Sequence, residues 1–369
     1  MGINPWSSEI VQAEKLFEEF GLKPISNELR DRFKEYYIFS RGIIIAHRDF
    51  DRFVVEYEKG KQVAVMSGIK PTGPFHMGSL LTAAELTILQ KMFGAKVFYS
   101  IADLEAYADN GQSYENSEAF AIDNVADLLA CGLDEKNAYI YRQSREMRVI
   151  QLANIFATHT TRATMEAIYG ERHMGLYMCA MVQMGDIYLP QHNDFGYEQV
   201  VVPVGLDQDP HIRLARDLAY KEHRLKLKPP SAIYHKTILS LDGQTKMSKR
   251  NPDSMLMLNE NEQTLKRKLG NAFTGGRESI EEQRKLGGRA EICPIYHLGF
   301  NMFDMDDKRN SERWDRCYGG KLLCGECKKE MFEIIIDWMR KHKELKDEKM
   351  HIAKEIVKGK FYDSGKNHS

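Results

Sequence analysis

The sequence lacks several features that would announce a function at once. No charge is in excess: 52 Lys and Arg stand against 53 Asp and Glu, a formal net charge of -1. With no global positive field, charge neither announces nor excludes a nucleic-acid partner, and any RNA contact must rest on a local patch. No apolar run approaches a membrane span. Met1 to Phe17 also lacks the basic and then apolar regions of a secretory signal. A soluble cytoplasmic protein without membrane contact is expected. Cysteine is scarce, with six among 369 residues, and in such a chain thiols stay reduced. Disulfides are therefore not expected, whereas a metal site is an open use for some of them. Internal repeats are missing, as is low complexity outside the polar tail after Lys360.

What the chain does have is length and pattern. It is long enough for two or three domains. Helical spacing runs from Glu9 to Tyr37 and again from Asp49 to Tyr57, so residues 1–60 read as a helical segment. Gln62 to Ser67 then reads as a buried strand entering a Gly/Pro loop, followed by a helix from about Met77 to Phe93 and a strand from Lys96 to Ile101. This is a βαβ unit, which places both strands in a parallel sheet and predicts a doubly wound α/β domain. Val200 to Val204 is another buried strand. Helices are read at Ser113 to Cys131, Val149 to Tyr169 and Asp209 to Tyr220. After Ser248 the pattern turns helical, with segments at Gln263 to Leu269, Trp314 to Cys317, Gly325 to Lys341 and Lys349 to Lys358.

Two stretches carry chemistry. In open α/β sheets ligands bind at the carboxyl ends of the strands, where the loop Ser67 to Pro74 lies, and its glycines would let backbone amides approach a phosphate. His76 and Gly78 follow at the start of a helix, where amides and the helix dipole favour an anion. Far downstream, Gly243 to Arg250 (GQTKMSKR) gathers Lys246, Lys249 and Arg250 around Ser248. Cations on such a loop neutralise a polyphosphate and supply much of the catalysis of nucleotidyl transfer. Taken singly, each stretch is also what an ordinary turn or a solvated basic loop looks like.

Together, and in this order, the His-x-Gly start and the Lys-Met-Ser-Lys loop resemble the paired signatures of class I aminoacyl-tRNA synthetases. Val201 to Asp217 (VVPVGLDQDPHIRLARD) narrows the resemblance to the tryptophanyl-tRNA synthetases. Similar stretches of the archaeal and eukaryotic branch are His47 to Phe50, Ile101 to Tyr107, Phe273 to Arg284 and Leu322 to Lys328, and the likeness spans about residues 39 to 340. It implies a Rossmann-like catalytic domain over 61–258, with a helical insertion at about 113–195, and a helical anticodon-binding domain over 259–369. The implied reaction joins tryptophan to ATP as tryptophanyl-adenylate, with Mg²⁺, and then to tRNA(Trp); a homodimer is implied too. His76, Gly78, Lys246, Ser248 and Lys249 are the expected catalytic residues. Ser67, Gly68, Lys70, Thr72, Gly73, Ser79, Gly205, Asp207 and Met247 join them around ATP, with Asp207 accepting from the ribose. Met66, Glu105, Gln183 and Gln208 are expected around tryptophan, where a carboxylate would hold the ammonium or the indole N–H, a donor costly to bury unpaired.

The chain departs from the pattern at Ser79, where a second histidine is usual, at Arg250, where a serine is usual, and at Met66, where a tyrosine is usual. A hydroxyl still donates to a phosphate and an arginine adds a cation, so activity with altered ATP contacts is expected. Tyrosine is the near alternative substrate, with Asp186 a candidate phenol partner, although Met66 is a poor partner for that hydroxyl. The same residues also fit a non-catalytic RNA-binding relative, or an adenylate-forming enzyme that does not use tRNA. Finally, Cys293, Cys317, Cys324 and Cys327 are spaced C-x23-C-x6-C-x2-C. That resembles the cysteine pattern of tryptophanyl-tRNA synthetases with a [4Fe-4S] cluster, with one residue more in its first loop, and four thiolates also suit zinc.

Overall fold

The computed structural model describes residues 13–244, 247 and 251–361. Seven strands form one sheet: β1 (Lys23–Pro24), β2 (Ile44–Arg48), β3 (Val63–Ile69), β4 (Lys96–Ile101), β5 (Ala138–Arg142), β6 (Gln199–Gly205) and β7 (Ser231–His235). Their order is β1-β2-β7-β6-β3-β4-β5. The pairs β3–β4, β4–β5, β3–β6 and β6–β7 are parallel, while β1 and β2 extend the sheet antiparallel beyond β7.

Both faces of the sheet are buried, and the strands show it residue by residue. Val63, Val65, Val97, Tyr99 and Ile101 enter one core, while Ala64, Met66 and Phe98 enter the other. Alternate side chains of a strand point to opposite faces, and a parallel sheet covered on both sides needs apolar residues at every position. Helix Met77–Phe93 and helix Tyr114–Ala130 cover the first face; helices Met147–Ala157, Met174–Tyr188 and Asp209–Lys221 cover the second.

The chain leaves β3 toward β4 and β5 and returns to β6 on the other side, so a topological switch point falls between β3 and β6. A cleft opens at their carboxyl ends, the location this architecture gives to ligands.

The spacing predicts a helical segment over 1–60, but among residues 13–60 β1 and β2 lie between the helices, β1 pairing with β2 and β2 with β7. The run Ile43 to Ala46 is too short to announce a strand, and its pairing with β7 decides the matter. The two C-terminal helices read from the sequence are one, Cys324–Val357. The apolar spacing lapses in between because that stretch packs through charge. His342 Nε2 lies 2.8 Å from Asp127, Lys346 Nζ 2.6 Å from Asp123 and 2.9 Å from Asp127, and Lys349 Nζ 3.3 Å from Glu135. Those acids belong to helix Tyr114–Ala130 and the turn after it, so the last helix lies against the sheet-bearing part of the molecule.

Candidate active site

The cleft has a volume of about 530 Å³ and is lined from β3, β4, β6, β7 and the helices that follow them. On the β3 side lie Met66, Ser67, Gly68, Lys70, Thr72, His76, Gly78 and Ser79; on the β6 side lie Gly205, Asp207 and Gln208. Glu105, Gln183 and Met247 complete the set, so most residues singled out from the sequence meet in one place. Gly73 stands outside this lining, and its carbonyl accepts from Asn124 Nδ2 at 3.1 Å. Lys246, Ser248, Lys249 and Arg250 lie outside the described residues.

His76 is the N-cap of helix Met77–Phe93. Its Nδ1 accepts from the amides of Gly78 at 3.0 Å and Ser79 at 3.4 Å, and its carbonyl accepts the first helical bond from Leu80. The imidazole thus occupies two of the donors that a helix start leaves open, those of Gly78 and Ser79. With Nδ1 accepting, the hydrogen of a neutral ring sits on Nε2, so the helix end is expressed as an imidazole N–H. Ser79 Oγ lies 3.5 Å from Nε2. A Cβ at position 78 would come within 2.9 Å of His76 Cε1, so glycine there makes room for the ring. Gly68 has a similar reason, because its Cβ would lie 2.7 Å from the Ser100 carbonyl of β4.

The opposite end of the cleft is acidic. Asp103, fully buried, accepts from Arg142 Nε at 2.9 Å and from the amide of Ser144 at 3.0 Å. That anchor fixes the start of helix Asp103–Asn110 and with it Glu105. Lys70 Nζ lies 3.3 Å from Glu105 and 2.5 Å from Asp109. Burial lowers the Lys70 pKa, but the two carboxylates outweigh it and the net direction is upward. Beside Gln183, three residues on along helix Met174–Tyr188, Asp186 is sealed from solvent and faces the cleft. Tyr141 OH donates to it at 2.8 Å and Gln143 Nε2 at 2.6 Å, and Ser100 adds a side-chain bond. Burial nevertheless pushes its carboxyl up to about 7, with Glu105 adding repulsion.

Spacing alone does not bring Asp103, Arg142, Tyr141, Gln143 or Ser100 to this site. The i, i+3 relation of Gln183 to Asp186 is the one local signal for that helix face. The β6 side differs in detail from the expectation: Gln208 Nε2 donates to Asp207 Oδ2 at 2.8 Å, and His211 is a further lining residue. Tyr169 OH lies 2.8 Å from His211 Nδ1, and burial lowers the His211 pKa to about 4. His211 is therefore neutral at pH 7.

The four expected cysteines, at 293, 317, 324 and 327, line one small cavity together with Arg313 and Lys328. Glycines close it: a Cβ at Gly276 would lie 2.7 Å from Cys324 Sγ, and one at Gly288 would lie 2.7 Å from Cys317 Sγ. Burial and the neighbouring cysteines push Cys317 up to about 11 and Cys327 up to about 12, the direction a bound cation would reverse. Among the described residues no three His, Cys, Asp or Glu side chains converge as they would on one metal ion. The four thiols thus share a cavity without converging as a ligand set on a metal ion.

A parallel sheet with a cleft at its switch point, a helix start delivered through an imidazole and an acidic end suited to an ammonium define a nucleotide-using enzyme that also takes an amino acid. The family model of class I tRNA synthetases (W and Y) matches residues 58–339. The tryptophan–tRNA ligase of Methanocaldococcus jannaschii is 38% identical over 98% of this chain and 99% of that protein. The crystal structure of tryptophanyl-tRNA synthetase from Aeropyrum pernix K1 superposes with a TM-score of 0.89, at 38% identity, over 94% of this chain and 96% of that one. The Giardia lamblia tryptophanyl-tRNA synthetase gives 0.83 at 26% identity, covering 95% and 98%. The chain belongs to the tryptophan–tRNA ligase family of class I tRNA synthetases.

Proposed function

We propose that this protein is a tryptophan–tRNA ligase, activating L-tryptophan with ATP to tryptophanyl-adenylate and transferring it to tRNA(Trp) for translation. The observation that carries the reading is the single cleft that joins His76 and Gly78 to Glu105, Gln183 and Asp186, in a chain similar to such ligases from end to end.

The tryptophan carboxylate attacks the α-phosphate of ATP, and pyrophosphate leaves. His76 Nε2–H and Ser79 donate to phosphate oxygens, while Lys246, Ser248 and Lys249 neutralise the leaving group together with Mg²⁺. Ser67, Gly68, Lys70 and Thr72 border the nucleotide on one side, Gly205 and Asp207 its ribose on the other, and Met247 its base. Glu105 and Gln183 hold the substrate ammonium, with Met66 and Gln208 against the side chain and amino-acid backbone. Asp186 is the acceptor for the indole N–H, taking over from the tyrosine that Met66 replaces. Its carboxylate keeps a lone pair for that donor after Tyr141, Gln143 and Ser100 have bonded.

The helices after Asn259 read the anticodon, and the four cysteines there hold a [4Fe-4S] cluster. What supports that choice is the spacing of the four cysteines and the one small cavity they share. A homodimer is supported by Tyr107, Tyr114, Met174 and Met178, large exposed apolar side chains on helices that pack together. No helix among the described residues is long and apolar enough to cross a membrane; the part the reaction plays in translation supports a cytoplasmic location.

ATP–pyrophosphate exchange on purified protein, with tryptophan and with tyrosine, tests the reading, followed by tRNA charging. Exchange with tryptophan, lost on Lys246→Ala, is expected. Exchange with tyrosine alone, or with neither amino acid from folded protein, overturns it.

A further inference from the structure

The loop that leads from β3 to helix Met77–Phe93 runs on from Ile69, whose partner Ile101 is the last residue of β4. Beyond that point no β4 backbone is left to bond it. Its residues nevertheless alternate: Lys70, Thr72 and His76 line the cleft, whereas Pro71, Gly73 and Phe75 are buried outside that lining. Buried carbonyls need donors, and the alternate carbonyls of this stretch all have one. The amide of Ala102, just past β4, donates to Ile69 at 2.8 Å, and the amide of Leu258 donates to Phe75 at 3.0 Å. Between these two backbone bonds the donors are side chains. Gln112 Nε2 donates to the Pro71 carbonyl, and Asn124 Nδ2 donates to that of Gly73 at 3.1 Å.

Both carboxamides are fixed by helix Tyr114–Ala130. Gln112, just before it, also donates from Nε2 to Ser117 Oγ in its first turns at 3.1 Å, and Asn124 lies within it. The helix is itself held, because Asp127, three residues past Asn124, lies 2.8 Å from His342 and 2.9 Å from Lys346 of the last helix. Asn124 is fully buried, and its Oδ1 has no hydrogen-bond partner among the described residues. A buried acceptor left so is costly, which leaves the bond to Gly73 as what this side chain contributes. Drawn toward Gln112 and Asn124, the two carbonyls point away from the cleft. Carbonyl oxygens turned into it would repel a polyphosphate, which an anion site meets with N–H groups instead.

We propose that Asn124 and Gln112 are positioning residues for ATP: by holding the carbonyls of Gly73 and Pro71 away from the cleft they set Lys70 and Thr72 toward the nucleotide and fix where His76 begins its helix. This rests on the ligase reading for the identity of the nucleotide. Neither side chain touches substrate.

The test is tryptophan-dependent pyrophosphate exchange by the wild type, Asn124→Leu, Asn124→Asp and Gln112→Leu, with folding followed by circular dichroism. Asn124→Leu keeps the branching of the side chain and removes the donor. It should raise the KM for ATP about tenfold, the size of one hydrogen bond, and leave the tryptophan KM within about twofold. Asn124→Asp keeps the shape and sets an acceptor against the Gly73 carbonyl, so it should raise the same parameter at least as far. Gln112→Leu, at a half-buried position, should act on it in the same direction and carries the test alone if the Asn124 variants do not fold. A folded Asn124→Leu or Asn124→Asp enzyme with the wild-type KM for ATP overturns the proposal. So does an equal rise in the KM values for ATP and tryptophan, the mark of a cleft loosened as a whole. Equilibrium binding of ATP with Mg²⁺, without tryptophan or tRNA, reads the loop apart from catalysis. Weaker binding by the variants, in a protein whose wild type shows no exchange, would sink the ligase reading and leave the two anchors standing.

Discussion

Replacing Asp186 by Asn changes one oxygen to a nitrogen in a fully buried site, and the structure fixes what should follow. The native carboxyl titrates at about 7, chiefly because burial disfavours the charge. The same group in an unfolded chain titrates near ~3.9, so the displacement is about three units, or ~4 kcal/mol. Its sign is set by proton counting. Between about pH 4 and 7 the folded protein holds a proton that the unfolded chain has released, so stability is greatest below about pH 4 on this account and declines as pH rises through 7. Asn carries no such proton, and urea unfolding at a series of pH values should show the variant losing less stability across that window. Substrate affinity should move the other way. The ionised carboxylate is the stronger acceptor for the indole N–H, because protonation turns one of its oxygens into a donor, so the wild-type KM for tryptophan should fall as pH rises through about 7. In Asp186→Asn the amide can present N–H to N–H, and KM should rise about ten- to a hundredfold and lose that pH dependence. Pyrophosphate exchange at saturating ATP from about pH 6 to 8 reads both. An Asn variant with the wild-type KM and the wild-type pH profile would refute the role given to Asp186.

Three further outcomes are expected. Gly78→Ala puts a methyl 2.9 Å from His76 Cε1 and should swing the ring off its cap, reducing kcat/KM for ATP by about tenfold or more with little change in the tryptophan KM, by steady-state exchange. Anaerobic reconstitution with iron and sulfide should give the visible absorbance and electron-paramagnetic signature of a [4Fe-4S] centre, lost in Cys324→Ser; stoichiometric zinc with no iron uptake would contradict that choice. Met174→Lys together with Met178→Lys, both on the exposed side of their helix, should convert a dimer to monomers in sedimentation.

The parts of the fold that the sequence made legible are those whose signals are local. Helix Met77–Phe93 has a cap, a continuous apolar face and a Gly94 with left-handed backbone just past its end, and its limits and those of β4 match the sequence reading. β5 (AYIYR) and β7 (SAIYH) escaped it. Each has five residues, is buried on both faces and so lacks the alternation of a half-exposed strand. Their identity as strands comes from β4 and β6, which no local window contains. The site divides in the same way. His76 and Gly78 sit in a stretch that carries its own pattern, whereas Gln183 is singled out by the family resemblance alone, and Asp186 owes its character to burial and to Tyr141, 45 residues away.

Charge explains why neither signature suffices alone. Glu105, Asp109, Asp186 and Asp207 all line the cleft. Among its described lining residues Lys70 is the one side chain with a permanent positive charge, and Glu105 and Asp109 already hold it. Such a cleft suits the ammonium of an amino acid and repels a triphosphate. On the proposed reading ATP draws on cations from outside that lining: Mg²⁺ on the phosphates, and Lys246, Lys249 and Arg250 from the second signature. Arg250 in place of a serine then adds charge where the acidic cleft most needs it, and Ser79 in place of a histidine costs a donor that His76 Nε2, 3.5 Å from its hydroxyl, is placed to supply. On this balance Arg250→Ser should raise the KM for ATP, and added Mg²⁺ should offset part of that rise while leaving the tryptophan KM where it was.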